Sequence, residues 1–297
     1  MEQKKLLMIV NPTAGRTKSH APLFDAAAVF SQAGYLLSIH KTAFHGDAMQ
    51  TAAALGRNYD VVVAVGGDGT LNQVVSGLLT IPEESRPLLG YIAQGSTNDF
   101  AASLQIPGDP TAAASLIVKS PPRRLDLGRW NSTPFVYIAS FGAFTQSAYA
   151  TPQSTKNTLG HFAYVLEGLK DLNTLRSYHI HLTADGEVLD GDYLFGAICN
   201  STSIGGLMHL NREHVILDDG KFELLLIAKP KGPADLSNLL INLVDQDFSH
   251  EGLLLRHVSS IHLETAENLP WSLDGEYAPS TPVVDIVNRQ QSLTMLL

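Results

Sequence analysis

Short apolar segments alternate with amphipathic ones along the first 127 residues of this 297-residue chain. The apolar segments have the length of β-strands, and they are residues 6–10, 36–40, 61–65 and 88–93. Between them, residues 22–33 and 48–56 carry the apolar spacing of helices. Residues 61–65 are all apolar and mostly β-branched, as in strands that helices cover on both faces. The alternation predicts an α/β fold built on a doubly wound parallel sheet.

Three of the predicted strands end in polar turns that contain glycine, at residues 11–15, 66–69 and 95–96. In a doubly wound sheet, ligands bind beyond the carboxyl ends of the strands. We therefore expect the three turns to converge on one site.

The turn at residues 66–69 has the composition of an anion site. It contains three glycines, which leave main-chain N–H groups uncovered, and helical spacing resumes at Leu71. A tight turn that merely needs glycine is the alternative. Asp68 favours the functional interpretation, because a carboxylate here would repel phosphate unless a cation or a proton-transfer role accounts for it. The sequence thus predicts a site for a nucleotide and Mg²⁺.

From about residue 125 onward, β-rich segments and hairpin turns replace the regular alternation. Strands are predicted at residues 135–141, 178–184, 193–200, 222–228, 258–265 and 283–287, and helices at residues 162–175 and 234–245. Asp-Gly pairs mark turns at residues 185–186, 219–220 and 274–275. We expect a nucleotide-binding domain over residues 1–127, to which residues 288–297 can return, and a β-sandwich-like domain over residues 128–287, with a cleft between the two.

The composition is that of a folded protein, since hydrophobic residues are 44% and charged residues 16% of the chain. The formal net charge of −9 argues against nucleic acid as a partner, because binding its phosphates requires a basic face. The single cysteine, Cys199, excludes an internal disulfide. No apolar run approaches the roughly 20 residues that span a bilayer, and no leader pattern precedes the first strand. We expect a cytoplasmic protein whose contact with membranes is peripheral.

Five motifs stand in the order and spacing of the diacylglycerol kinase catalytic family, which the chain resembles over essentially its whole length. They are NPxxG at residues 11–15, GGDGT at 66–70, GSTNDF at 95–100, DDG at 218–220 and DGE at 274–276. The chain looks most like the small bacterial soluble lipid kinases of that family. The resemblance implies ATP and Mg²⁺ as cofactors, an N-terminal nucleotide domain, a C-terminal β-sandwich that helps to bind lipid, and chemistry in the cleft between them.

The resemblance assigns the nucleotide to residues of the first domain. These are Asn11, Pro12, Thr13, Ala14, Gly15, Arg16, Thr42, Gly66, Gly67, Asp68, Gly69, Thr70, Leu71, Asn72 and Ser96. Arg16 and Lys18 are candidate partners for the β- or γ-phosphate because of their charge. Ser96 replaces the usual threonine and keeps its hydroxyl. Ala14 replaces a frequent hydroxyl-bearing residue, which removes a phosphate hydrogen bond of about 1.5–3 kcal/mol.

The same resemblance points to Asp274 and Glu276 as the carboxylates next to the acceptor hydroxyl, one of them acting as the general base. A plain hairpin turn is the alternative explanation of residues 274–275. We assign Asp68 to the magnesium that bridges the phosphates, with a base role as the alternative. Asp99 is expected to brace the start of its helix.

A second, structural Mg²⁺ site is implied at Asp219, with the main-chain carbonyls of Ile216 and Lys221 as further ligands. Here too, the alternative is a hairpin turn.

The sequence therefore predicts an ATP-dependent lipid kinase that phosphorylates the hydroxyl of diacylglycerol or a related lipid alcohol. Two other functions stay open: a soluble-metabolite kinase of the NAD kinase type, and a regulator that binds nucleotide or lipid without catalysis. Pairing of edge strands into a homodimer is also left open.

Overall fold

Two structural units divide the chain in the computed structural model, which describes residues 3–15, 21–142, 176–204 and 208–297. The first unit comprises Met1–Leu125 and Gln291–Leu297, and the second comprises Asp126–Gln290. The helix predicted at residues 162–175 lies outside the described residues.

The first unit is a parallel sheet whose strands alternate with helices. In chain order its elements are β1 (Lys5–Val10), α1 (Ala21–Gln32), β2 (Leu36–Lys41), α2 (Asp47–Leu55), β3 (Val61–Gly66), α3 (Asp68–Leu78), β4 (Leu88–Ala93), α4 (Asp99–Ser103) and α5 (Pro110–Lys119). β1 pairs with β2 and β3, β3 pairs with β4, and each ladder is parallel. α1 packs against α5, and α2 packs against α3. The predicted α/β fold is confirmed.

Burial explains why these segments form the centre of the first unit. Every residue of β3 is buried, as expected for a strand that is covered on both faces. α5 begins where the side chain of Asp109 accepts the N–H of Ala112 at 2.8 Å and Pro110 occupies the first turn. The same sheet thus holds the carboxyl ends of β1, β3 and β4 at one edge.

The second unit is mainly antiparallel. Its elements are β5 (Pro122–Trp130, which begins in the first unit), β6 (Thr133–Phe135), β7 (Ile138–Gly142), β8 (Tyr178–Ala184), β9 (Glu187–Cys199), β10 (Ser203–Ile204), β11 (Met208–His209), β12 (Phe222–Ala228), α6 (Pro233–Asp245), β13 (Leu253–Val258), β14 (Ser260–Glu264), β15 (Trp271–Leu273), β16 (Glu276–Ala278) and β17 (Val283–Leu296). β17 leaves this unit near its end and pairs Met295 with Leu89 of β4 in parallel.

The long strand β9 links the two parts of this sandwich-like unit. Its first half pairs with β8, and its second half pairs with both β7 and β12. β14 continues the sheet from β8 to β17. The side chains between these layers form one apolar core, in which Trp271 lies 5.0 Å from Phe141 and 5.9 Å from Trp130 between ring centroids. The predicted β-sandwich-like second domain is confirmed.

None of the helices in the described parts of the chain is long and apolar enough to cross a bilayer.

Candidate active site

The three glycine-containing turns meet at the carboxyl ends of β1, β3 and β4. The N–H of Asn11 donates to the carbonyl of Val65 at 2.9 Å, and the N–H of Gln94 donates to the carbonyl of Gly66 at 2.7 Å. A Cβ at Gly95 would collide with the main chain of Gly67. Because the turns pack backbone against backbone, glycine is required there by the close approach of the segments.

The side chain of Asn11 organises the first turn. Its Oδ1 accepts the N–H of Thr13 at 3.0 Å and the Thr13 hydroxyl at 2.8 Å, and its Nδ2 donates to the hydroxyl of Thr70 at 3.0 Å. Gly15 closes the turn at a φ of +73°, where a Cβ would meet the carbonyl of Gln94. Asn11 therefore joins the first turn to the helix that follows the second. Pro12 and Ala14 lie within the same turn, and Arg16 lies outside the described residues.

A polar cavity of about 250 Å³ lies beside this turn. Five predicted nucleotide residues line it: Asn11, Pro12, Thr13, Thr42 and Thr70. The N–H of Thr42 donates to the carbonyl of Val10 at 2.9 Å. It is also lined by residues that the sequence did not single out: Ala43, Phe44, His45, Ala48 and Gln73. Gln73 could have been found from its spacing, because it follows Thr70 by about one helical turn.

The turn before α3 presents the N-terminus of an 11-residue helix. Gly67 precedes the helix, and its carbonyl accepts the N–H groups of Thr70 and Leu71 at 2.9 and 3.1 Å. A helix N-terminus carries partial positive charge and favours an anion. The side chain of Leu71 is fully buried, so this residue could reach a nucleotide only through its main chain. The side chain of Asn72 accepts the Ser76 hydroxyl at 3.5 Å.

Asp68 lies at this helix start and is partly buried. Its Oδ2 accepts the N–H of Asp99 at 3.0 Å, and its Oδ1 accepts the hydroxyl of Tyr91 at 3.4 Å. Burial raises the pKa of Asp68, although the N–H groups of Asp99 and Phe100 and the Tyr91 hydroxyl oppose that shift. The structure thus holds a carboxylate in fixed orientation beside the glycine turn.

Tyr91 is a contact of Asp68 that sequence reasoning missed. Its side chain is 1% exposed, and burial, followed by the charge of Asp68, raises its pKa well above the usual value. A buried tyrosine hydroxyl normally needs a polar partner. Its position in the apolar strand β4 gave no signal of this role.

The third turn is held by Asn98. Its Oδ1 accepts the N–H of Gly95 at 2.8 Å, and its Nδ2 donates to the carbonyl of the same residue at 3.0 Å. Asn98 adopts a φ of 55° just before α4, and Asp99 follows as the first, buried residue of that helix. Ser96 is exposed between them.

Asp274 lies in the second unit, in the turn between β15 and β16. It is 3% exposed, and its carboxylate accepts the N–H groups of Val136, Tyr137 and Ile138 at 2.6, 2.9 and 3.0 Å. The turn has positive φ at Asp274 (48°) and at Gly275 (88°), as in a type I′ hairpin. Asp274 therefore anchors the segment before β7, and Glu276, the first residue of β16, is exposed.

Asp219 lies in a turn that other residues of the second unit hold in place. Its Oδ1 accepts the N–H of Lys221 at 2.9 Å, and the neighbouring N–H of Gly220 donates to Oδ2 of Asp126 at 2.6 Å. No group of three or more His, Cys, Asp or Glu side chains in the described residues is arranged to hold a metal ion.

Glu223 makes the surroundings of this turn suitable for a cation. It is 1% exposed, and burial, together with the charges of Asp219 and Asp126, raises its pKa to about 9. Its Oε2 is buried with no hydrogen-bond partner in the described residues, a condition that typically costs about 1–3 kcal/mol. Excess acceptor oxygens fit the oxygen ligands and water shell of Mg²⁺.

Two family models match the chain. The model of the diacylglycerol kinase catalytic domain matches residues 5–130, and that of the YegS C-terminal NAD kinase beta sandwich-like domain matches residues 139–296. Together they cover both units.

Named relatives match along nearly the full chain. The chain is 34% identical over 282 residues to the diacylglycerol kinase of Bacillus subtilis (strain 168), covering 94% of this chain and 92% of that one. It is 33% identical over 282 residues to the diacylglycerol kinase of Staphylococcus aureus (strain bovine RF122 / ET3-1), covering 94% and 88%. The crystal structure of a diacylglycerol kinase from Bacillus anthracis str. Sterne matches with a TM-score of 0.79 and 26% identity, covering 100% and 98%.

Proposed function

Because the chain belongs to the diacylglycerol kinase catalytic family and is a lipid kinase, we propose that it transfers the γ-phosphate of ATP to the hydroxyl of diacylglycerol or a related lipid alcohol. The observation that carries this proposal is the meeting of three polar turns beside the N-terminus of α3, with the Asp68 carboxylate held next to them. Phosphoryl transfer depends mainly on positioning the phosphates and neutralising their charge, and this edge of the sheet has the groups for both tasks.

The nucleotide is assigned to the turns of the first unit. Residues 11–15, Thr42, residues 66–72 and Ser96 would contact it, with main-chain N–H groups and the start of α3 facing the phosphates. The cavity beside Asn11 and Thr70 has a polar lining suited to other parts of the nucleotide. Asp68 would hold the catalytic Mg²⁺, which when bound neutralises phosphate charge. A carboxylate offers about four lone-pair sites, so Asp68 can accept these hydrogen bonds and still coordinate a cation.

A carboxylate of the second unit would take the proton of the lipid hydroxyl. Asp274 and Glu276 are the candidates, and a positioned base contributes about 10²- to 10⁴-fold in rate. The carboxylate of Asp274 accepts three main-chain N–H groups, and these contacts fix its orientation. Glu276 is solvent-accessible. Asp68 is the alternative base.

The second Mg²⁺ is assigned to Asp219 with the carbonyl oxygens of Ile216 and Lys221. The unpartnered Oε2 of Glu223 supports a cation at this place. Its role would be structural, because it would fix the turn that leads into β12.

Reaching a lipid also requires contact with a bilayer surface, and we propose that this contact is peripheral. Neither alternative function has a specific observation in its favour, since both curated relatives described above are named diacylglycerol kinases.

A kinase assay with γ-labelled ATP, Mg²⁺ and a panel of lipid alcohols in mixed micelles tests the proposal. We expect labelled phosphate to appear in the lipid fraction and not in NAD supplied in its place. Transfer to NAD alone would favour the metabolite kinase. Nucleotide binding without transfer to any lipid alcohol would favour the regulator.

A further inference from the structure

Three buried acceptor oxygens without donors lie in the second unit near the Asp219 turn. They are Oε2 of Glu223, Oδ1 of Asn200 and Oδ1 of Asn288, and none has a hydrogen-bond partner within the described parts of the chain. While Glu223 is ionised, all three atoms can only accept hydrogen bonds or coordinate cations, so they cannot satisfy one another. Buried polar atoms in native proteins usually have a partner, so this set points to a donor-rich or cationic group.

Asp126 links these residues into one network. Its Oδ2 accepts Nδ2 of Asn288 at 3.2 Å, and its main-chain oxygen accepts Nδ2 of Asn200 at 2.9 Å. The same Oδ2 accepts the N–H of Gly220 at 2.6 Å, and Asp126 is fully buried. The network therefore reaches the Asp219 turn from the interior.

Reversing the asparagine amides would not satisfy their oxygens. Nδ2 of Asn288 donates to Oδ2 of Asp126 and also to the carbonyl of Lys221, at 3.2 and 3.1 Å. Turning this amide over would place its oxygen against two acceptors. Nδ2 of Asn200 likewise points at a carbonyl oxygen. The local geometry therefore keeps Oδ1 of Asn200 and Oδ1 of Asn288 available to accept a hydrogen bond from another group.

Glu223 adds a carboxylate to this acceptor-rich region. It is 1% exposed, and it lies in β12 four residues after Asp219. Burying a carboxylate near two others is unfavourable unless a cation or donors compensate. A hydrated Mg²⁺ supplies both, because it takes oxygen ligands and keeps several waters that donate hydrogen bonds.

We infer that Glu223 is a second carboxylate ligand of the divalent cation at Asp219, and that Oδ1 of Asn288 accepts a hydrogen bond from water which that cation holds. The inference rests on the magnesium site of the proposed function and not on the kinase reaction. Because main-chain carbonyls and water complete such a site, it needs no group of three acidic or histidine side chains.

Thermal unfolding in increasing MgCl₂, without nucleotide or lipid, tests this inference. The wild-type protein should show a saturable rise in Tm. Glu223→Gln, which keeps the side-chain size, should weaken the apparent Mg²⁺ affinity at least tenfold and leave the metal-free Tm equal or higher. The matched control Glu213→Gln changes an exposed glutamate of the same unit and should follow the wild-type titration.

Two results would overturn the inference in different ways. If Mg²⁺ raises the Tm of Glu223→Gln as it does that of the wild type but no longer raises the Tm of Asp219→Asn, the cation binds at Asp219 and Glu223 is not one of its ligands. If the wild-type Tm does not respond to Mg²⁺, neither the Asp219 site nor the role of Glu223 in it is correct. The lipid assay tests the kinase reaction independently of this result.

A crystal of the wild-type protein soaked in MnCl₂ provides a measurement that does not depend on the folding of a variant. Anomalous scattering should place a metal within about 2.3 Å of Oε2 of Glu223, in the range of bonds from oxygen to small divalent cations. A metal bound to Asp219 but more than about 4 Å from that oxygen, or water alone at this position, would contradict the inference.

Discussion

At the scale of single residues, each candidate carboxylate depends on groups that hold it in place. Asp68 is oriented by the N–H of Asp99 and the hydroxyl of Tyr91, and Asp274 by three main-chain N–H groups. Such contacts fix the direction of a carboxylate before any ligand arrives, which is the arrangement that phosphoryl transfer needs.

Tyr91→Phe removes the hydroxyl that contacts Asp68 and keeps the buried ring. We expect kcat to fall about three- to tenfold, or about 0.7–1.4 kcal/mol, because the 3.4 Å contact is long for a hydrogen bond to a charged group. Steady-state kinetics with varied Mg²⁺ would measure this. Tyr35→Phe, at a partly exposed position of the same unit, should behave like wild type. An unchanged kcat in Tyr91→Phe would exclude the positioning role.

Asp274→Asn should lower turnover at least a hundredfold, if Asp274 is the general base, and should also destabilise the second unit. The new NH₂ group would face main-chain N–H groups, and losing one buried hydrogen bond costs about 1–3 kcal/mol. Activity and urea unfolding should be measured together with Asp245→Asn, an exposed control.

Glu276→Gln separates the two candidate bases, because this exposed residue has no comparable structural role. A hundredfold loss of turnover at normal stability would assign the proton transfer to Glu276. Wild-type turnover would leave Asp274 or Asp68 as the base.

At the scale of elements, the turns that follow β3 and β4 contact each other at the carboxyl ends of these strands. Gly67 and Gly95 let the turns after β3 and β4 touch through their main chains, and Asn98 fixes the second of these turns. Sequence spacing showed that glycine was present in both turns. It did not show that the two turns contact each other.

Gly95→Ala should disturb this contact. A Cβ there would lie 2.5 Å from the Cα of Gly67, so the turns must separate, at a cost of about 1–3 kcal/mol. We expect a lower Tm and a raised KM for ATP. Gly108→Ala is the matched control, because nothing lies within 4 Å of its added Cβ. Equal Tm and KM values in the two variants would refute the close approach.

The hairpin between β8 and β9 gives a pH-dependent contribution to stability. Asp185 accepts the N–H and hydroxyl groups of Ser259 and Ser260, which lower its pKa although burial opposes them. Because its pKa is lower in the folded state than in the unfolded state, Asp185 stabilises the fold at pH values above the ordinary pKa of about 3.9. This stabilisation is lost as the pH falls through the folded-state pKa. Asp185→Asn should therefore cost about 0.5–1.5 kcal/mol at pH 7 and little at pH 3, as measured by urea unfolding. A cost that does not change with pH would contradict this assignment.

At the scale of the whole molecule, the chain places the three glycine-containing turns in one unit and the Asp274 hairpin in another. β5 and β17 run from one unit into the other, so both units share continuous strands. Family models match each unit separately along the same chain. The proposed activity thus draws on residues from both.

MgATP at about 100 times its Kd should stabilise the protein by about 2.7 kcal/mol, since it binds only the folded state. Hydrogen exchange should show the added protection at residues 11–15, 66–72 and 95–98, where the three turns meet. Protection confined to other segments would place the nucleotide elsewhere.

The sequence by itself determined the α/β and β-sandwich-like folds, the glycine turns at the strand ends and the family, because strand and helix periodicities and the motifs are local features of the chain. Only the tertiary structure showed that Asp274 accepts N–H groups from residues 136–138 and that Tyr91 meets Asp68. It also revealed that one side-chain oxygen each of Glu223, Asn200 and Asn288 is buried with no hydrogen-bond partner among the described residues. These contacts join residues far apart in the chain or on different elements. Their energies depend on burial and on which partner lies opposite, and neither is encoded in the spacing of residues along one segment.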